Sequence, residues 1–320
     1  MTRVLVLGGT GWLGREIARV AVAGGAEVVC LARGESGEVP DGAELVQADR
    51  LSPGAYDKVA GEWDEVVELA YEPELVTSAL DALAVHASHW TLVSSVSVYA
   101  HNDEPYADET AALVEPRDLS EYADAKVAAE QISARRIGNR LLIARPGLIV
   151  GPGDPSDRFG YWPGRLRQGG RILVPAVEGR YVQVIDVADL ATWIVSAGRA
   201  GLTGAVNAVG TVYTMEEFFG AACAATGFQD ELVSLADDVL LAQDVHYWAG
   251  PRSLPLWLPM SDSAFAQRDG SVFLSSGGSL RSLNETLIRA LEDEIERDLG
   301  RARRSGLTAA EESAILPKAR

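Results

Sequence analysis

The amino-acid sequence predicts an α/β fold in which a doubly wound parallel sheet is combined with a smaller, mainly α-helical domain. Short apolar runs alternate with helical patterns through the first 150 residues, which is typical of βαβ units. A glycine-rich turn separates the first apolar run from the first helix. Beyond residue 151 this alternation weakens. We therefore expect a first domain over 1–150, to which about 182–212 returns, and a second domain over 151–320.

The composition narrows the functional class. The chain has 320 residues, of which 47% are hydrophobic, and no apolar run reaches the roughly 18 residues that a membrane span needs. The formal net charge of −18 predicts repulsion from nucleic acid and from anionic membranes. The two cysteines, Cys30 and Cys223, show neither metal-ligand spacing nor a disulfide framework, and the N-terminus has no signal-peptide pattern. We expect a cytoplasmic protein.

The first strand and the turn after it predict a dinucleotide site. Val4–Leu7 is an uninterrupted apolar run, as expected for a strand buried on both faces. Residues 9–14 fit the pattern G-x-G-x-x-G, and Gly8 precedes them. Glycines there permit a tight turn, close approach of a pyrophosphate and packing of the helix on the strand. A helix starting near Trp12 would then hold the phosphates at its N-terminus.

The end of the second strand bears on which nicotinamide cofactor is used. Glu27–Ala32 reads as that strand, and its end is where an acidic side chain would bind the 2′-hydroxyl of NAD. Ala32 and Arg33 stand there instead. A guanidinium suits a 2′-phosphate, so we favour NADP(H). Two alternatives stay open: Arg33 is a solvated loop residue, or Glu35 turns inward and serves NAD(H).

Three further strands are predicted over Leu45–Asp49, Trp63–Ala70 and His89–Ser95, with a helix starting at about Pro73. Ligands of parallel sheets collect at the carboxyl ends of the strands. Asp49 could accept a hydrogen bond from the adenine amine or serve as a helix N-cap. The residues expected to border one crevice are Gly14, Arg33, Asp49, Ala70 and Ser95.

A tyrosine, a lysine and a serine provide candidate chemistry. Tyr122 and Lys126 are four residues apart at the start of a predicted helix, hence on one face. A free phenol has a pKa of about 10, and a nearby ammonium favours the phenolate. A hydroxyl of Ser94 or Ser95, at the end of the fifth strand, can bind a reacting carbonyl. Such Tyr/Lys pairs also arise by chance, but the glycine turn and the Ser-Ser strand end make this one informative.

With these motifs, the chain resembles the extended short-chain dehydrogenase/reductases, the superfamily of NAD(P)-dependent epimerases, dehydratases and reductases built on a Rossmann fold. The resemblance runs from Val4 to about Gly210 and more loosely beyond. It rests on four segments: residues 8–14, 94–99, 122–126 and 145–152.

The resemblance implies specific roles. Tyr122 would be the general acid/base, Lys126 would hold the nicotinamide ribose and lower the pKa of the tyrosine, and Ser95 would polarise the substrate carbonyl. Pro146 and Gly147 would lie near the nicotinamide. The predicted cofactor-binding residues are Gly8, Thr10, Gly11, Trp12, Leu13, Gly14, Arg33, Asp49, Leu69, Ala70, Tyr122, Lys126, Pro146 and Gly147.

The rest of the chain predicts a mainly helical, substrate-binding domain. Residues 151–163 are so rich in glycine and proline that we expect an irregular loop. Asp186 is predicted to cap a helix, Glu292–Arg304 to form a solvated helix face, and Thr308 to cap the last helix. The four histidines, His86, His89, His101 and His246, show no metal-ligand spacing, so no metal is assigned.

Three functional hypotheses follow. The first is an NADP(H)-dependent oxidoreductase that reduces a carbonyl, or oxidises the alcohol, of a small metabolite. The second is a nucleotide-sugar epimerase or dehydratase that recycles a tightly bound NAD, which would copurify with the protein. The third is a non-catalytic protein that senses the cofactor ratio or binds RNA, against which the complete Ser95, Tyr122 and Lys126 set and the net charge both argue. The expected partner is a small-molecule substrate, not nucleic acid or membrane, and the helices beside the sheet could pair two chains as a homodimer.

Overall fold

A computed structural model describes residues 2–316, which divide into two compact units. The first unit contains the residues up to Ile149 together with Val187–Gly210 and Arg268–Leu280. The second contains Val150–Asp186, Thr211–Gln267 and the residues from Arg281 onward. The segment Arg268–Leu280 was not expected in the first unit.

The elements follow in chain order. The strands are β1 (Arg3–Leu7), β2 (Glu27–Ala32), β3 (Ala43–Gln47), β4 (Trp63–Glu68), β5 (Ala87–Val93), β6 (Leu141–Pro146), β7 (Leu148–Val150), β8 (Ile172–Pro175), β9 (Tyr181–Asp186), β10 (Gly204–Ala208), β11 (Val212–Thr214), β12 (Leu232–Leu235), β13 (His246–Trp248) and β14 (Ser253–Pro255). The helices are α1 (Trp12–Ala23), α2 (Pro73–Leu83), α3 (Tyr122–Ile137), α4 (Arg158–Gln168), α5 (Val187–Arg199), α6 (Met215–Thr226), α7 (Asp237–Ala242), α8 (Ser271–Ser275), α9 (Leu283–Glu296) and α10 (Ala309–Ile315).

The first unit is built on a seven-stranded sheet in the order β10-β6-β5-β4-β1-β2-β3. Every neighbouring pair of strands is parallel. One apolar cluster joins the strands to α2 and α3, with Leu5, Leu80, Trp90 and Ala129 almost fully buried in it. The predicted doubly wound parallel fold is therefore confirmed. The strand order reverses between β1 and β4, which is where such sheets bind ligands.

The predicted starts are correct for several elements, but β3 and β5 each begin two residues earlier than expected, at Ala43 and Ala87. The second strand, the start of α1 at Trp12 and the start of α3 at Tyr122 are found as predicted. However, β3, β4 and β5 each end two residues earlier than expected. In each case a polar side chain binds the backbone N–H two residues ahead and turns the chain: Asp49 binds Leu51, Glu68 binds Ala70, and Ser95 binds Ser97.

The prediction of an irregular loop over 151–163 is wrong from Arg158 onward, because α4 begins there. Phe159, Trp162 and Leu166 are buried on this helix, and their burial stabilises it despite Pro163 in its interior. A prediction from glycine and proline content alone does not detect the apolar face of this helix.

One charged residue of the second unit also differs from expectation. Glu294 is buried and forms ion pairs with Arg301 and Arg303, so the predicted solvated face does not extend over it. Asp186 directly precedes α5, at the position predicted for its N-cap, and its carboxylate forms ion pairs with Arg281 and Arg289. The predicted Thr308 cap is confirmed as part of a capping box on α10. Within residues 2–316, no helix has the length and apolarity to cross a membrane.

Candidate active site

The glycine turn after β1 has the geometry that a dinucleotide site requires. Gly8 adopts φ +101°, a conformation that favours glycine. A Cβ at Gly9 would lie 2.3 Å from the Cys30 sulfur, and one at Gly14 would lie 2.4 Å from the Gly8 carbonyl oxygen. Gly11 caps α1, whose first turn, wholly within the described residues, carries no acidic side chain. The positive end of α1 is therefore available to a pyrophosphate, so these residues fit the predicted cofactor.

A cleft of about 450 Å³ lies beside this turn and has the size of a small-molecule site. Among its lining residues are the predicted Gly8, Thr10, Gly11, Arg33, Asp49, Leu69 and Ala70. The remaining predicted cofactor residues, all of them within 2–316, lie outside this lining: Trp12, Leu13, Gly14, Tyr122, Lys126, Pro146 and Gly147. Of the five residues expected to border one crevice, Gly14 and Ser95 are likewise outside it. The cleft also contains Glu72 and Leu75, which the sequence did not point to.

Arg33 lines the cleft and is also strongly solvated. Its Nε lies 3.3 Å from a carboxylate oxygen of Glu35, and both side chains are about two-thirds exposed, at 67% and 68%. An exposed ion pair of this kind is worth about 0–1 kcal/mol. The Arg33 guanidinium can therefore exchange this partner for a ligand anion at little cost.

A buried ion pair in the wall of the cleft was not predicted. Nη1 of Arg50 donates to Oε1 of Glu68 over 2.9 Å, and a second, shorter contact makes the pair bidentate. Arg50 also donates to the Tyr56 hydroxyl and to the Leu75 carbonyl. Burial alone would lower the pKa of Arg50, but Glu68 and Tyr56 outweigh it and raise that pKa. Two glutamates in the apolar run of β4 were the sequence signal for such a pair.

Lys126 is a buried cation near the carboxyl end of β5. Its side chain is 4% exposed, and Nζ donates to the carbonyl of Val93 at the end of β5 over 2.7 Å. Burial lowers the pKa of Lys126 to about 8, against the charges of Glu68, Glu72 and Glu130, which favour the ammonium. The amine is thus close to its ionisation midpoint at neutral to mildly alkaline pH.

Tyr122 begins α3 and is 45% exposed. Lys126 lies one turn later, and its Nζ is 5.7 Å from the centre of the Tyr122 ring. The helix thus places an exposed phenol beside a buried ammonium, as the spacing predicted.

The two neighbouring serines have separate environments. The hydroxyl of Ser94 donates to Glu130, which pairs with Arg145 through bonds of 2.7 and 3.0 Å. The Ser94 hydroxyl is therefore part of a buried hydrogen-bond network with Glu130 and Arg145. The hydroxyl of Ser95 lies 3.1 Å from that of Ser97, and Ser95 as a residue is 9% exposed. This difference favours Ser95 as the serine that can meet a ligand.

Pro146 and Gly147 lie at the carboxyl end of β6. The Gly147 N–H donates to the Ala208 carbonyl at the end of β10 over 3.3 Å. Because β1, β4, β5, β6 and β10 are parallel, their carboxyl ends form one edge of the sheet. The glycine turn, Glu68, Val93 and Pro146 all lie along that edge.

Comparisons with known proteins identify the family and the fold. A family model described as the NAD dependent epimerase/dehydratase family matches residues 4–210. A dTDP-6-deoxy-L-talose 4-dehydrogenase (NAD(P)(+)) from Kitasatospora kifunensis is 28% identical over 174 residues, which cover 48% of this chain and 54% of that protein. The chain thus spans about half the length of this curated relative.

Two solved structures share the fold at low identity. A putative epimerase from Burkholderia cenocepacia has a TM-score of 0.72 and 22% identity, and the match covers 91% of this chain and 97% of that one. The UDP-glucuronic acid 4-epimerase from Bacillus cereus, solved in complex with NAD, has a TM-score of 0.67 and 15% identity over 92% and 99% of the two chains.

Proposed function

The chain belongs to the NAD dependent epimerase/dehydratase family and is an NAD(P)-dependent enzyme, and from this premise we propose that it is an NADP(H)-dependent oxidoreductase that interconverts a ketone and a secondary alcohol. The observation that carries the proposal is the buried Lys126 ammonium beside the exposed phenol of Tyr122. An acid/base group of this kind serves proton transfer to or from a carbonyl oxygen.

We assign one role to each of three side chains. The Tyr122 hydroxyl donates a proton to the carbonyl oxygen during reduction and removes it during oxidation. The Lys126 ammonium stabilises the phenolate that forms, because a nearby cation favours the charged form of a phenol. The Ser95 hydroxyl donates a hydrogen bond to the carbonyl oxygen and so stabilises the charge that develops there.

The cofactor site would be the glycine turn and the cleft beside it. When bound, a nicotinamide cofactor supplies hydride transfer, and the protein supplies its position and the proton. The N-terminus of α1 would hold the pyrophosphate, and Asp49, which lines the cleft, would accept a hydrogen bond from an adenine amine. Lys126 would bind the nicotinamide ribose with the donors that do not reach Val93.

The preference for NADP(H) rests on Arg33. The strand end where NAD enzymes place a carboxylate carries Ala32 and Arg33, and Arg33 lines the cleft. A guanidinium binds a 2′-phosphate with charge-assisted hydrogen bonds. Glu35 pairs with Arg33 and also lines the cleft. Its carboxylate would instead favour NAD(H), whose 2′-hydroxyl can donate a hydrogen bond to it.

The substrate class we propose is a sugar or sugar-like ketone. The Kitasatospora relative is a dehydrogenase of a nucleotide-linked deoxysugar, acting at position 4. A small-molecule substrate also suits a chain with a net charge of −18, which opposes nucleic acid and anionic membranes as partners. The location that we propose is the cytoplasm, where the free thiols of Cys30 and Cys223 would remain reduced.

The test is a panel assay that follows nicotinamide absorbance with NADPH and NADH. The panel contains simple ketones, free keto-sugars and nucleotide-linked keto-sugars. The proposal predicts net oxidation of NADPH, faster than that of NADH, in an amount equal to the alcohol formed. A tightly held NAD that copurifies, together with epimer formation without net cofactor change, would instead show a recycling epimerase.

A further inference from the structure

Tyr71 lies between the cofactor cleft and the catalytic residues, and the roles assigned above leave it without one. It follows β4 by three residues and directly precedes Glu72, the N-cap of α2. Its side chain is half-buried, whereas Ala70 and Glu72 on either side of it line the cleft.

The Tyr71 ring touches both members of the Tyr122/Lys126 pair. Its centre lies 5.0 Å from that of the Tyr122 ring at an interplanar angle of 75°, which is an edge-to-face contact. Nζ of Lys126 lies over the Tyr71 ring, 4.8 Å from its centre and therefore closer than to the Tyr122 ring, at 5.7 Å. The ammonium is thus bordered by two phenol rings and the Val93 carbonyl.

Both contacts have a direct physical effect. The negative face of an aromatic ring attracts an ammonium, most strongly where water is excluded. An edge-to-face pair restrains the orientation of both rings. Tyr122 is 45% exposed and stands at the first residue of its helix, so the contact with Tyr71 acts on a ring that is partly open to solvent.

The backbone that carries Tyr71 is itself fixed. The Ala70 N–H donates to Glu68 over 2.8 Å, and the Tyr71 N–H donates to Glu72 over 3.2 Å. Glu68 is in turn held by the buried Arg50. The ring of Tyr71 therefore projects from a segment anchored in the core of the first unit.

We propose that Tyr71 is a positioning residue, whose ring holds the Lys126 ammonium and the Tyr122 phenol in their reactive arrangement. Its effect on turnover rests on the proposed function, whereas its effect on Lys126 does not. The charged groups that face Lys126 are Glu68 and Glu72 from the β4–α2 junction and Glu130 on its own helix, and none of them is altered when Tyr71 is replaced.

The sequence makes a direct measurement possible. The chain has three lysines, Lys58, Lys126 and Lys318. With lysine labelled with ¹³C at the ε position, NMR can follow the ionisation of each amine in the unliganded protein, and the exposed Lys58 serves as an internal reference.

The experiment compares Tyr71→Leu with Tyr71→Phe. Leu keeps the site apolar but lacks the ring face, so the Lys126 midpoint should fall by about 0.5–1 pH unit. Phe keeps the ring face and should hold the midpoint within about 0.2 pH unit of wild type. In turnover assays, kcat of Tyr71→Leu should fall about three- to tenfold, with Tyr71→Phe recovering most of the loss.

Matched controls separate this role from general damage. Tyr106→Leu replaces a tyrosine of the same unit that is 63% exposed, and it should change neither the Lys126 midpoint nor kcat. If Tyr71→Leu does not fold, Tyr71→Met tests the same loss of the ring. An unchanged Lys126 midpoint in the ring-free variant, or an equal shift in Tyr71→Phe, would overturn the proposal. Because the titration needs neither substrate nor cofactor, it decides on Tyr71 even if the proposed reaction is wrong.

Discussion

Strand β4 carries two buried carboxylates three residues apart, and they have opposite kinds of partner. Glu68, at the carboxyl end, binds Arg50, whose guanidinium is charged at every accessible pH. Glu65, nearer the amino end, binds the imidazole of His89 and accepts a hydrogen bond of 2.6 Å from Thr91. The two glutamates of β4 are thus paired differently. Glu68 has a partner that is always charged, whereas Glu65 has a partner that can gain or lose its charge.

The partner of each glutamate determines how that end of the sheet responds to pH. At the carboxyl end, a constant Arg50–Glu68 pair keeps the surroundings of Lys126 and the cleft fixed as pH changes. At the amino end, burial would lower the pKa of His89, but Glu65 and the Leu202 carbonyl outweigh it and raise that pKa. We infer that chemistry resides at the first end and that the second contributes stability that depends on pH.

The largest effect should come from Lys126→Met. Loss of the ammonium beside Tyr122 should lower kcat by about 10³- to 10⁴-fold, whereas the midpoint of thermal unfolding should change little, because Met fills a similar buried volume. His89→Asn, at the opposite end of the sheet, should keep kcat within about threefold of wild type. Steady-state assays and calorimetry on both variants check the contrast, and a kcat loss in His89→Asn matching that of Lys126→Met would break it.

Next in size is the cost of removing each carboxylate. Glu68→Leu strands a buried guanidinium that cannot lose its proton, and it should lower the free energy of unfolding by about 3–5 kcal/mol. Glu65→Leu should cost only about 1–3 kcal/mol, because His89 can become neutral. Urea denaturation near neutral pH measures both values, and equal costs would refute the distinction between the partners.

The third effect is the pH dependence of the Glu65–His89 pair. Since the pKa of His89 is raised on folding, its contribution to stability is complete below the unfolded pKa of about 6.5 and is lost as pH rises through the folded value. The destabilisation caused by His89→Asn should therefore be larger at low pH than at high pH, by about 1 kcal/mol. Denaturant titrations across this range check the trend. The cost of Glu68→Leu serves as the reference and should stay flat below the pKa of Lys126, about 8, because Arg50 and Lys126 both remain charged there.

The smallest effect concerns a third acid–base pair, Arg33 and Glu35, which is exposed where the other two are buried. Arg33→Gln should raise the Kd for NADPH about three- to tenfold and leave that for NADH within about twofold. Glu35→Gln should shift the same ratio slightly in the other direction. Fluorescence titrations with both cofactors measure the ratio, and tighter binding of NADH than of NADPH by the wild-type protein would remove Arg33 from this role.

Local sequence patterns predicted many of the strands and helices that carry the candidate site. The bounds of the second strand and the first residues of α1 and α3 follow from apolar periodicity and glycine placement, which act within a few residues. The strand ends were missed by two residues because Asp49, Glu68 and Ser95 turn the chain through side-chain hydrogen bonds. These bonds are invisible to a hydropathy pattern.

The unpredicted parts of the site are contacts between distant segments. Arg50, which follows β3, contacts Glu68 at the end of β4, and Tyr71 contacts Lys126 across 55 positions of sequence. No local spacing encodes such pairs. The α4 helix was missed for another reason. Its glycines and Pro163 indicate a loop, although the buried apolar residues of the same segment stabilise a helix.

The most direct test of the account is a single-turnover comparison of wild type with Tyr122→Phe, using a ketone identified in the panel assay and following nicotinamide absorbance. The account predicts a hydride-transfer rate lower by about 10²- to 10⁴-fold, with the Kd for NADPH nearly unchanged, because only the proton donor is lost. Hydride transfer at the wild-type rate in Tyr122→Phe would contradict the assignment of Tyr122 and the mechanism built on it.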